Sequence, residues 1–225
     1  MTVWTRMSGM ALGIGDTISH LLGSHVDSVV PEKSMAFTIG MIALGAKMAK
    51  ADGVVTDDEV VAFSQVFHVP LKDQPAVQRV FNLAKQDVAG FETYAAQVAK
   101  LFSKKSSVLE SVLDGLFHIA KADGVIHPDE LIYLESVAEI FGFNARDFAR
   151  IRGRHVVLRD DPYVALGLEP GAGLADVKKK YRSLVRELHP DKQIAAGVPE
   201  EMVELATERM SRINAAYSAL EKELA

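Results

Sequence analysis

One amphipathic stretch near the C-terminus, residues 177–192, constrains the fold more than any other part of the sequence. Its apolar side chains recur at the spacing of one helical face, at Val177, Tyr181, Leu184 and Leu188. The helix has to end at this point, because Pro190 has no backbone N–H and disfavours helical dihedral angles at the residue before it. The sequence therefore predicts a helix that packs by one face and carries the tripeptide His-Pro-Asp, residues 189–191, at its end.

Basic side chains follow a second face of the same helix. Lys178, Arg182 and Arg186 recur every four residues, with Lys179 beside them and Lys192 just beyond the helix end. Like charges at this spacing repel each other slightly, so the basic row does not stabilise the helix by itself. Two interpretations stay open: a face that is simply solvated, and a surface that docks on an acidic partner.

Three runs of residues in this region stand in the order found in a known family. The run Lys-Lys-Tyr-Arg-Ser-Leu, followed by His-Pro-Asp-Lys, lies between Asp-Pro-Tyr-Val-Ala-Leu-Gly-Leu at residues 161–168 and Ile-Asn-Ala-Ala-Tyr-Ser-Ala-Leu at residues 213–220. Together they resemble the second helix and signature loop, the first helix and the end of the third helix of a J-domain. This is the module through which DnaJ-type co-chaperones act on a DnaK-type chaperone.

The resemblance implies a role for the tripeptide and for the basic row. It implies that a DnaK-type chaperone is bound by His189, Pro190 and Asp191 and is oriented by Lys178, Lys179, Arg182, Arg186 and Lys192. Binding would bias the partner toward the state that hydrolyses its own ATP, which is a coupling between sites. The alternative, an acid–base pair of His189 and Asp191, has no nucleophile, phosphate loop or third orienting residue beside it. We therefore predict no catalytic residue, no enzyme activity and no cofactor.

The preceding part, residues 31–152, predicts an all-α domain. Helical start signals and helical apolar spacing recur, and no stretch alternates with the period of two that strands need. The run Ala-Lys-Ala-Asp-Gly-Val at residues 49–54 returns at residues 120–125, which predicts two helix–turn–helix units packed as one bundle. This pattern resembles the TerB-like domain of tellurite-resistance proteins. With a J-domain behind it, the chain is similar to the DjlA branch of J-proteins.

These resemblances divide the chain into four parts. We predict an N-terminal segment at residues 1–30, a TerB-like helical bundle at 31–152, a linker at 153–161, and a J-domain built on an antiparallel helix pair at 162–225. Within the first segment the longest run without an ionisable side chain, residues 7–15, is much shorter than the ~20 residues of a spanning helix. We therefore expect no transmembrane helix there.

The two repeated corners contain acidic side chains at Asp52, Glu59, Asp123 and Glu130. They imitate the second half of a calcium loop, but an apolar residue and a lysine occupy the first and third ligand positions, so we predict no metal site of that type. The simpler interpretation is a tight turn in which glycine supplies positive φ and the acids favour the next helix N-terminus. An acidic cluster of these four residues stays open as the alternative.

Composition limits the partners and the compartment. A net charge of −5 argues against nucleic-acid binding. The absence of cysteine excludes disulfides and thiolate metal sites, which is compatible with a cytoplasmic protein. We expect a cytoplasmic location, or a peripheral one at the cytosolic face of the inner membrane.

The N-terminal domain is expected to supply localisation, dimerisation or client choice. A client, a membrane-associated protein or a second copy in a homodimer all remain open as its partner. The alternative function is a metal- or stress-responsive interaction protein of the TerB type, in which the J-domain is accessory.

Overall fold

The structure, a computed structural model, describes residues 30–48, 61, 63–64, 69–86, 90–121, 126–156, 161–199 and 203–224. Within these ranges the regular elements are helices and there is no strand, so the predicted all-α class is confirmed. The helices are α1 (Val30–Met48), α2 (Gln74–Gln86), α3 (Phe91–Lys100), α4 (Ser107–Ala120), α5 (Pro128–Ile140), α6 (Ala145–Val156), α7 (Pro162–Leu166), α8 (Leu174–Leu188), α9 (Pro190–Ala195) and α10 (Glu204–Glu223).

Helices α1 and α4 form the centre of the N-terminal bundle. Helix α1 packs on α2, α3 and α4, and α4 also contacts α5 and α6. Small residues permit this close approach: a Cβ added at Gly40 on α1 would lie 2.5 Å from Cγ2 of Val98 on α3. The bundle core is therefore assembled around two buried helices.

Helices α7, α8 and α10 form the C-terminal domain. Lys178 lies near Glu221, and Tyr181 stacks on Tyr217 with ring centroids 4.0 Å apart, so α8 and α10 run antiparallel, as predicted. The Tyr181 hydroxyl also donates to Oδ1 of Asn214 at 3.1 Å. The core of this domain contains Leu166, Val177, Leu184, Leu188, Ala206, Ile213, Ala216 and Leu220.

The short helix α7 has a local hydrogen-bonding or backbone signal at each of its ends. The Asp161 carboxylate accepts hydrogen bonds from the backbone N–H groups of Tyr163 and Val164, and Pro162 occupies the first helical position. Gly167 ends the helix in the left-handed region, with φ of 68°.

Some predicted boundaries are modified or fall outside the described residues. Helix α6 extends to Val156, so the linker that we predicted to start at residue 153 begins within a helix. The N-terminal segment up to residue 29, the first repeated corner and residues 122–125 of the second lie outside the described ranges. Among the helices in the described ranges, none combines the length and the apolar character needed to cross a membrane.

The two domains share a packed surface, which we call the seam. Val198 and Val203, which follow α9, belong to the hydrophobic core of the N-terminal bundle. The Ser34 hydroxyl on α1 donates to the Gly197 carbonyl at 2.9 Å. Helices α8 and α10 both contact α4. The C-terminal domain is thus docked on the bundle through specific contacts, which the sequence did not predict.

Candidate functional site

The His-Pro-Asp tripeptide lies at the junction of α8 and α9 and faces solvent. His189 has φ of −56° and ψ of 130°, so the helical path is interrupted there, and Pro190 starts α9 at once. The side chains of His189 and Asp191 are 56% and 89% exposed. The sequence predicted the helix end; the immediate start of a second helix is an addition from the structure.

One hydrogen bond orients the imidazole. The backbone N–H of Asp191 donates to Nδ1 of His189 at 3.2 Å. Because Nδ1 accepts, a neutral ring carries its proton on Nε2 and can donate it outward. The Asp191 carboxylate lies 3.7 Å from Nδ1 and is otherwise open to solvent. The tripeptide therefore presents one donor and one acceptor close together.

The basic row lies on the exposed face of α8 and on α9. Lys178 is partly exposed and lies 3.7 Å from Glu221, while Lys179, Arg182, Arg186 and Lys192 are exposed. No ion pair joins these last four cations to another residue in the described part of the chain. Their charge is available to a partner, and attraction of this kind weakens as salt rises.

The end of α8 is held in place by the N-terminal bundle. The last carbonyls of a helix have no partner within it, and here the Glu187 carbonyl accepts from the Ser107 hydroxyl of α4 at 3.2 Å. It also accepts from Nε2 of Gln193 at 3.1 Å, and Gln193 donates to Ser107 as well, at 3.2 Å. Gln193 is buried, whereas its neighbour Lys192 is exposed. The buried face of α9 thus fixes the tripeptide relative to the bundle, while its other face is exposed to solvent.

The acidic corners are only partly described. Asp52, Glu59 and Asp123 lie outside the described residues. Glu130 is buried at the start of α5, where its carboxylate accepts from the backbone N–H of His127 at 2.8 Å in a capping box. Among the described residues no group of three potential ligands is arranged to hold a metal ion. The four-residue cluster stays a prediction.

A buried ionic cluster, which the sequence did not predict, joins the two domains at the seam. The Glu110 carboxylate on α4 accepts from Arg150 and Arg154 of α6 and pairs with Arg209 of α10, each at 2.8 Å. Asp114, one turn further along α4, accepts from Arg154 at 3.0 Å and lies 2.7 Å from Nε2 of His155. Arg209 is the one member of this cluster from the C-terminal domain.

The guanidinium groups keep both carboxylates ionised. Burial alone would raise the pKa of Glu110, but Arg209, Arg154 and Arg150 outweigh it and lower the pKa from 4.5 to about 2. Burial also works against the charge of Asp114, yet Arg154, the hydrogen bond from His155, and Arg209 hold its pKa well below the usual range. Both carboxylates of the cluster are therefore ionised at neutral pH, and each is paired with guanidinium groups.

The sequence contained a signal for this cluster. Glu110 and Asp114 stand four residues apart in a helix with no Lys or Arg, and Arg150 and Arg154 have the same spacing on α6. Acids on a buried helix require buried cations. The position of Arg209, on a distant element, could not be read from spacing.

Comparisons with known proteins agree with the two-part fold. The family model described as "Tellurite resistance protein TerB" matches residues 38–153. The model described as "DnaJ domain" matches residues 161–224. No solved structure gives a significant match to the chain.

Curated relatives match most of the chain and are named "Co-chaperone protein DjlA". The protein from Photobacterium profundum is 28% identical over 221 residues, which cover 85% of this chain and 79% of that protein. The Vibrio cholerae protein is 26% identical, with coverage of 85% and 79%. The Escherichia coli K12 protein is 22% identical and covers 99% of this chain and 98% of its own.

Proposed function

The chain belongs to the TerB family and carries a DnaJ domain behind it, and from this DjlA-like arrangement we propose that its J-domain docks on a DnaK-type chaperone and stimulates ATP hydrolysis by that partner. As a DnaJ-type co-chaperone, the protein acts by binding its partner chaperone. The observation that carries the proposal is the exposed tripeptide beside a basic row, four of whose five cations have no ion pair among the described residues.

The proposed contact divides the work between two kinds of group. His189 and Asp191 offer a directed donor and acceptor, which suit recognition of specific polar groups on the partner. Pro190 fixes the backbone between them, because its ring removes one rotatable angle. Lys178, Lys179, Arg182, Arg186 and Lys192 supply long-range attraction, which governs the rate and orientation of association more than its final strength.

Stimulation requires a differential effect on the partner. A ligand shifts a conformational equilibrium only by the difference in its affinity for the two states. We propose that this chain binds more tightly to the hydrolysing state of the chaperone. The anchoring of the α8 end by Ser107 and Gln193 favours binding to either state, because a preordered contact loses less entropy. The preference for one state has to come from how the tripeptide fits the partner in each state.

The N-terminal domain is proposed to decide where this stimulation acts. Its described surface exposes large apolar side chains, with Leu71 84% and Ile132 63% exposed. We propose that this domain contacts a client, a membrane-associated protein or a second copy of the chain. The location of the protein, cytoplasmic or peripheral at the inner membrane, follows from that choice.

The test is ATP turnover by a DnaK-type chaperone with the full chain and with His189→Gln. The variant should keep its helical circular dichroism, because His189 is exposed, and should lose the stimulation. His118→Gln, which changes an exposed histidine on α4 outside the tripeptide, is the matched control and should stimulate normally. Normal stimulation by His189→Gln would refute the proposal.

A second arm tests the basic row. Arg182→Glu should raise the concentration of co-chaperone needed for half-maximal stimulation and reduce its dependence on salt. Arg152→Glu, at an exposed position on α6 outside the row, is the matched control. Equal effects of the two variants would show that the row does not direct docking.

A further inference from the structure

A cavity of about 300 Å³ lies at the seam, next to the buried ionic cluster. It lies between residues of α4, α6, α7 and α10, so both domains contribute to its walls. Its volume is at the lower end of the range for small-molecule sites. The exposed residues Arg212, Ala215 and Ala219 also line it, so it opens to solvent along α10.

The polar wall of this cavity contains buried donors without acceptors. Arg209, whose side chain is 6% exposed, has Nη1 and Nε free of any hydrogen bond in the described part of the structure. Nε of Arg154, whose side chain is 9% exposed, also has no hydrogen-bond acceptor in the described part of the structure. Both residues line the cavity. A buried donor left unpaired costs free energy, and a donor on a charged group costs more.

The charge at this wall is also unbalanced, with more cations than carboxylates. Among the described residues, the cluster sets three guanidinium groups against the carboxylates of Glu110 and Asp114. Asp114 lines the cavity, but its oxygens are already engaged by Arg154 and His155. Asp161 lines it too, and its Oδ1 serves as the cap of α7. With Arg212 of the cavity wall counted as well, four guanidinium groups stand against three carboxylates, so the cavity and its cluster have one positive charge in excess.

The remaining wall is apolar. It is formed by Pro162, Val164 and Ala165 of α7 and by Ile213 and Ala216 of α10. Such a surface suits a short hydrocarbon or aromatic body, while the guanidinium groups suit a planar or tetrahedral oxyanion. We propose that this seam cavity binds a small organic anion, with its oxyanion head on Arg209 and Arg154 and its apolar body against α7 and α10. This site is separate from the chaperone-binding surface.

Direct binding to the full chain tests the proposal. Calorimetric titrations in a low-chloride buffer would use hexanoate and phenyl phosphate as probes, which distinguish a carboxylate from a phosphate head, and hexanamide as the neutral match. We expect at least one of the two anions to bind at one site per chain and to raise the melting temperature. Hexanamide should do neither. Absence of binding by both anions would overturn the proposal.

Two substitutions test whether the anion binds in the seam cavity. Ala215→Leu fills the cavity from its exposed edge and should lower the affinity for the anion by at least about tenfold. Ala175→Leu makes the same change at an exposed position of α8 outside the cavity and should leave binding unchanged. Binding that Ala215→Leu does not weaken would overturn the proposal.

A second variant covers the case in which Ala215→Leu does not fold. Arg212→Gln, at an exposed position that lines the cavity, should weaken binding, and Arg152→Gln, outside it, should not. Equal affinity of these two variants would overturn the proposal. No chaperone takes part in these measurements, so their failure would leave the ATPase proposal untouched.

Discussion

Two acidic side chains on α4 decide how the domains meet at the scale of single residues. Glu110 and Asp114 lie one helical turn apart and are buried, so each must find cations that are buried with it. Arg150 and Arg154 come from the same bundle, and Arg209 comes from the J-domain. A contact of this kind contributes specificity of docking more than net stability, because desolvation offsets much of the attraction.

The low pKa of Glu110 makes the stability of the folded chain depend on pH. Its carboxyl has a pKa of about 2 when folded and about 4.5 when unfolded, so its contribution is complete above pH 4.5 and is lost as the pH falls toward 2. The contribution lost is about 3 kcal/mol. Urea unfolding at several pH values should show that Glu110→Gln flattens this dependence.

An exposed acid is the control for this measurement. Glu169 pairs with Arg146 at 2.6 Å, but both side chains are at least 80% exposed, so solvent screens the pair. Glu169→Gln should leave the pH dependence of stability unchanged. Parallel loss of stability in the wild type and in Glu110→Gln would contradict the assigned role of Glu110.

Sequence reasoning identified single residues well where the cause is local. The helix end before Pro190 follows from a backbone rule that acts within a few residues. The pairing of Glu110 with Arg209 does not, because helical spacing tells which face of an element is buried and not what covers it. The position of the tripeptide at a helix end was predictable, because its cause is local. Its anchoring by Ser107 was not predictable, because that contact joins two distant elements.

At the scale of elements, α4 and the segment after α9 hold the two domains together. Helix α4 is buried on nearly all sides, which is expected of a helix covered by neighbours all round rather than on one face. Val198 and Val203, which follow α9 in the sequence, enter the core of the bundle.

Gly197 lets this segment turn onto the bundle. It has φ of +95°, and a Cβ there would lie 2.7 Å from Cδ of Lys33, whose ammonium group lies over the Phe102 ring. Gly197→Ala should therefore destabilise the chain by about 2 kcal/mol, from backbone strain together with displacement of Lys33. Urea unfolding at neutral pH measures this change.

The chain offers a matched control at Gly171. It has φ of +87°, and an added Cβ would meet nothing within 4 Å, so Gly171→Ala reports the backbone strain alone. The expected cost is about 1 kcal/mol. Equal destabilisation by the two variants would mean that the seam does not depend on close contact at Gly197.

At the scale of the whole molecule, docking and exposure coexist. The seam buries Gln193, Val198 and Arg209, while the tripeptide and the basic row stay on the outer side. The J-domain is therefore held in one orientation on the bundle and remains accessible to a chaperone.

If the seam couples the domains, they should unfold together. Calorimetry of the wild-type chain should then show one cooperative transition. Arg209→Met keeps much of the side-chain volume but removes the J-domain's charge from Glu110 and Asp114, so the J-domain should melt separately at a lower temperature. Its stimulation of a DnaK-type ATPase at 25 °C should persist, because the tripeptide does not contact Arg209. Arg212→Met, at an exposed position of the same helix, should keep the single transition. Two separate transitions in the wild type would contradict the coupling.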